Sequence, residues 1–177
     1  MKQRIRQRTK YITVSAMLAA LGVLILSLGS LIEVLDITVG VLASLLCVYA
    51  VIEIKGVFPW LIWLVTSILS LLLLPQKTPA VFYTLFLGFY PILKEKLEKS
   101  PRFLSWVWKL LVFHAGLGGI ILVLRLFFPT QLDMGGLWWM PAVAYVAVLL
   151  CFVLYDVALT RMITYYLVRL RTRFRIK

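Results

Sequence analysis

Six apolar runs, each closed by a short polar or turn-forming stretch, take up most of the chain. The first, Tyr11 to Ile32, carries no charge; at about 1.5 Å per residue it makes a helix of roughly 33 Å, enough to cross a hydrocarbon core of about 30 Å. The turn Glu33 to Asp36 follows, then a second run over 37–54 ending at Glu53-Ile54-Lys55-Gly56. A third run covers 57–74, with Pro59, Trp60 and Trp63 near its start, where proline is tolerated and tryptophan suits a membrane interface. After Pro75 to Pro79 comes a short aromatic run, 80–93, holding Phe82, Tyr83, Phe86, Phe89 and Tyr90, with Gly88 and Pro91 as points where it can bend. Lys94 to Arg102 is polar. The fifth run, 103–128, is interrupted by Lys109, His114 and Arg125, and the sixth spans 141–167 behind Pro141. The pattern predicts an all-α polytopic membrane protein: a single domain, 1–177, built as a bundle of six transmembrane helices.

Composition narrows the function classes. Hydrophobic residues make up 63% of the chain and charged residues 15%, which is not the balance of a soluble domain. A formal net charge of +12 on a polar surface would suggest nucleic acid as a partner. Here the bases cluster at the ends of the apolar runs, which points to anionic membrane lipids and to no nucleic acid. With both termini cytoplasmic, all of the 19 lysines and arginines except Lys77 and Arg125 fall on the inner side. That is the asymmetry expected of a multi-pass protein of the cell membrane. The basic start before an apolar run resembles a secretory signal, but the run is long and more follow it, so it reads as a retained helix.

Charged groups inside spans are costly and each needs a partner or a task. Lys109 in the fifth span and Asp156 in the sixth lie at similar depth and are expected to form a structural ion pair, an assignment preferred over proton or ion movement. Glu53 is expected to anchor the inner interface beside Lys55 and the Lys94 cluster. His114 falls near mid-membrane, where an imidazole bonded to a hydroxyl or carbonyl is favoured over a proton relay. Arg125 lies on the side poor in bases, so it either pairs with Glu33, Asp36 or Asp133 or meets an anionic ligand. Trp138 and Trp139 fit either an interfacial belt or the cover of an outward cavity. Cys47 and Cys151 sit in apolar runs without Cys or His neighbours and read as packing residues, not metal ligands. No nucleophile with its base, no paired aspartates and no phosphate loop is recognisable, so the chain reads as a non-enzyme without a cofactor or metal.

Ser15, Ala16, Ala19 and Ala20 form a smooth stretch near the basic end of the first helix, where another helix can approach closely. Size, six spans, inner termini and the Ala-x-x-x-Ala pattern of Ala16 and Ala20 together resemble the S component, the substrate-binding membrane subunit, of energy-coupling factor (ECF) transporters. The resemblance implies that Ala16 and Ala20 dock onto a transmembrane coupling subunit served by two ATPase subunits. It also implies capture of a vitamin or similar small nutrient from outside, with Glu33, Lys77, Tyr83, Arg125, Trp138, Trp139 and Tyr145 as the candidate substrate-binding groups. The first outer loop is short for that family and carries no vitamin-specific motif. In size and layout the chain also resembles the rod-shape protein MreD, an interaction partner; this is the alternative, a non-transport membrane scaffold.

Overall fold

A computed structural model describes residues 2–31, 35–98, 101–127 and 139–170, and among these every regular element is helical. The helices are α1 (Lys2–Leu31), α2 (Asp36–Glu53), α3 (Phe58–Leu73), α4 (Thr78–Phe82), a π-helical turn (Tyr83–Leu87), α5 (Tyr90–Leu97), α6 (Arg102–Phe127) and α7 (Met140–Tyr165), the last continued by a second π-helical turn (Tyr166–Leu170). Four stretches are long and apolar enough to cross a membrane: Arg8–Ser30, Asp36–Glu53, Phe103–Val123 and Met140–Arg169. Helix α3 is apolar but shorter, 16 residues or about 24 Å. The aromatic run expected over 80–93, with Gly88 and Pro91 as its bend points, is a broken rod. It starts at Thr78, loosens into the π turn, interrupts its helix at Gly88 and Phe89, and resumes with Pro91 in the first turn of α5, extending into the charged stretch as far as Leu97.

The chain divides into two compact units, residues 1–117 and 118–177, and the division falls within α6. In the first unit, α1 packs against α2 and α3, and α2 also meets α4, the π turn and α5. Small residues bring the backbones together. Gly29 of α1 lies against Val39 of α2, and Gly22 lies against Thr66 of α3 and Leu46 of α2. One index rises as the other falls, so α1 and α2 are antiparallel. Tyr11 meets Phe58 with ring centroids 5.8 Å apart, and the Thr66 hydroxyl donates to the Ala19 carbonyl at 3.4 Å. Both pairs are 47 residues apart in sequence, so α1 and α3 are parallel. Trp63 donates to the Thr84 carbonyl while Lys96 sits over Trp60, which makes the α4–α5 rod antiparallel to α3. Phe113 meets Phe86 and Lys109 meets Glu98, so the first half of α6 reverses direction again.

The core of this unit lies on α2, where Val39, Gly40, Ala43, Ser44, Cys47, Val48, Ala50 and Val51 are buried. Cys47 and Ala50 are fully buried. The helix ends where the Ala50 carbonyl accepts bonds from the N–H groups of both Ile54 and Lys55 at 3.0 Å, with Lys55 and Gly56 in the left-handed region at φ 60° and 71°. In the second unit, α7 buries Phe152, Tyr155, Asp156 and Leu159, a single stripe at helical spacing, and exposes Val143, Val146, Leu150, Leu154 and Val157.

Candidate functional site

Three features of the first unit bear on function: the small-residue face of α1, the aromatic cluster around the π turn, and a lysine pair held by one glutamate. On α1, Ser15 and Ala19 are buried within the unit, whereas Ala16 and Ala20 are exposed. A helix turns by about 100° per residue, so adjacent small residues divide between two faces. One pair packs against the chain's own helices, and the other leaves a shallow strip bordered by the exposed side chains of Ile12, Met17 and Leu24. Alanines add little bulk there, so another helix can come close to the α1 backbone.

The aromatic cluster is built by α3, the π turn, α5 and α6. Trp63 meets Trp60 at 5.8 Å and Phe89 at 6.1 Å, and Phe86 stacks on Tyr90 at 5.3 Å while meeting Phe113 edge-on at 6.1 Å. Gly116 admits α6 to this cluster, since a Cβ there would lie 2.7 Å from the Phe86 ring. Tyr83 is 1% exposed, and its hydroxyl meets the Cys47 thiol at 3.2 Å. A phenol taken from water needs such a partner.

At the far end of the α4–α5 rod, Glu98 Oε1 lies 3.3 Å from Lys94 Nζ and 3.4 Å from Lys109 Nζ. The lysine side chains are 1% and 7% exposed, and the glutamate is 40% exposed. Lys109 also stands 5.6 Å over the Trp106 ring, so the Glu98 carboxylate and the Trp106 indole both help to hold this buried ammonium. Glu98→Gln is expected to cost about 1–2 kcal/mol, less than the roughly 3–5 kcal/mol of breaking a fully buried pair, because water already screens this carboxylate. Thermal unfolding in detergent checks it, and the loss should shrink in a Lys109→Met background.

The substrate-binding candidates fall in different places. Glu33 and Trp138 lie outside the described residues. Lys77 is half-buried and its ammonium donates to the Leu74 and Leu72 carbonyls, which closes the C-terminal end of α3. Tyr83 is taken up with Cys47, as described above. Arg125, Trp139 and Tyr145 belong to the second unit, where all three are exposed. Lys109 belongs to the first unit and Asp156 to the second, and each is buried, 6% and 3% exposed. His114 Nδ1 lies 2.7 Å from the Leu110 carbonyl. A carbonyl only accepts, so Nδ1 carries the proton in this bond.

Sequence reasoning had not singled out Glu98. Its signal was the four-residue spacing from Lys94 on one helical face, hidden because KEKLEKSPR reads as a connection rather than as the end of a helix. Among the described residues no group of three or more His, Cys, Asp or Glu side chains is placed to hold a metal ion. Comparison with known protein families, with curated proteins and with solved structures returns no match.

Proposed function

We propose that this chain is the substrate-capturing membrane subunit of an ECF-type transporter. It crosses the cell membrane six times with both termini inside, and docks through α1 onto a coupling subunit that works with two ATPases. The observation that carries this reading is the outward exposure of Ala16 and Ala20 on an α1 whose neighbouring small residues, Ser15 and Ala19, are consumed by its own unit. The alternating directions of α1, α2, α3, the α4–α5 rod and α6 support successive crossings. The concentration of bases at one set of helix ends supports the orientation. The cargo is a vitamin or similar small nutrient that the chain does not alter chemically, and energy comes from the ATPase partners.

A second reading, a non-transport scaffold, draws on a different observation: Lys77 and Tyr83, two of the candidate cargo ligands, are bonded within the chain's own helices. Copurification with an ECF coupling subunit and its ATPases is the test. The double variant Ala16→Leu, Ala20→Leu is expected to reduce recovered complex at least about tenfold, because two isobutyl groups force the helix backbones apart. Its thermal unfolding should stay within about 0.5 kcal/mol of the parent, since both positions are exposed. Undiminished recovery would remove the docking role. Native mass spectrometry of the purified protein separates the two readings, a retained small molecule favouring transport and its absence favouring the scaffold.

A further inference from the structure

From the arrangement around Trp60 we infer that the chain holds an anionic phospholipid at the start of α3, its phosphate between Lys55 and Lys96 and its acyl chains along α3. Lys96 is exposed and its ammonium lies 5.9 Å over the Trp60 ring, which draws this cation down onto the protein surface instead of letting it extend into water. Lys55 is exposed in the turn five residues before Trp60. Among the described residues, neither lysine forms an ion pair, whereas Lys94 and Lys109 nearby share the Glu98 carboxylate. Two kinds of lysine are therefore present at this end: one kind is committed inside the protein and the other is available to an outside anion.

What makes the anion a lipid is the surface that follows. From Trp60, steps of four residues along α3 reach Leu64, Ile68 and Leu72, which are 45%, 49% and 73% exposed. This row rises directly from the cationic end along the helix, the layout of a phospholipid with its headgroup beside Lys96 and its tails beside Leu64, Ile68 and Leu72. An indole at the junction matches the depth of the headgroup region. Basic pockets at the inner ends of membrane helices recognise anionic headgroups by the same charge complementarity. The site is confined to the first unit and needs neither a coupling subunit nor a cargo, so it stands or falls separately from the transport reading.

The test is native mass spectrometry of the full chain in neutral detergent, titrated with phosphatidylglycerol, with phosphatidylcholine or with inorganic phosphate. The parent protein should bind phosphatidylglycerol more tightly than phosphatidylcholine. The exposed substitutions Lys55→Gln and Lys96→Gln should each weaken phosphatidylglycerol about fivefold and leave phosphatidylcholine unchanged. Lys96→Arg should restore the preference. Equal affinity for the two lipids, or an unchanged preference in the Lys55→Gln, Lys96→Gln double variant, would overturn the assignment. Displacement of phosphatidylglycerol by an equal concentration of inorganic phosphate would overturn it too, since the acyl chains would then contribute nothing.

Discussion

Replacing Gly88 by alanine is expected to destabilise the protein by about 2–3 kcal/mol, although the change adds a single methyl group. The backbone there is ordinary right-handed helix, φ −76° and ψ −41°, so alanine meets no conformational penalty and even brings a gain of up to about 1 kcal/mol from a stiffer unfolded chain. Space is what forbids it. A Cβ on Gly88 would lie 2.6 Å from the Trp63 ring and 2.8 Å from the Tyr83 ring. Neither neighbour can yield at a flexible end: Trp63 is tied to the Thr84 carbonyl at 3.2 Å, and the Tyr83 hydroxyl meets Cys47. Either the rings rotate out of their favoured geometry or a hydrogen bond is lost. Gly118→Ala is the contrast, since a Cβ there meets nothing within 4 Å. It should leave stability unchanged or raise it by up to about 1 kcal/mol. Thermal or denaturant unfolding in detergent reads both. A Gly88→Ala protein as stable as its parent would mean that the aromatic cluster is not packed as described.

Tyr83→Ala should have the largest effect of any single truncation in the first unit, about 3–5 kcal/mol, because the ring is fully buried and its removal leaves a cavity between α2 and the π turn. Tyr83→Phe removes only the hydroxyl. It should cost about 1 kcal/mol or less, since the Cys47 thiol is a weak partner that tolerates an apolar neighbour. This pair of substitutions also decides what the tyrosine is for. A packing role predicts that the phenylalanine variant keeps any copurifying small molecule, whereas a ligand role predicts its loss at nearly parental stability. Native mass spectrometry beside the unfolding measurement reads both quantities on the same samples.

The helices themselves were legible because their signals are local. Long uncharged runs such as Tyr11 to Ile32 have one economical way to satisfy backbone polar groups in lipid, and Pro59, Pro91 and Pro141 fall in first helical turns, where a missing N–H costs nothing. Gly88 was recognisable as a breaking point for the same reason. The extension of the fourth rod through Lys94 to Leu97 was not, because a lysine-rich stretch after an apolar run looks like a connection until Lys94 is seen to be buried and paired with Glu98.

Helix class, the uneven placement of bases and the existence of a small-residue stretch on α1 follow from side-chain chemistry and spacing along one strand of chain. Which alanines of that stretch face outward, why α2 rather than α1 carries the core, and that Glu98 meets both Lys94 and Lys109 depend on rotation and register between helices. Those quantities are set by close approach at Gly22, Gly29 and Gly116, and by the Thr66 hydroxyl reaching Ala19. Van der Waals fit of this kind joins residues 47 positions apart, and hydrophobic periodicity contains no term for it.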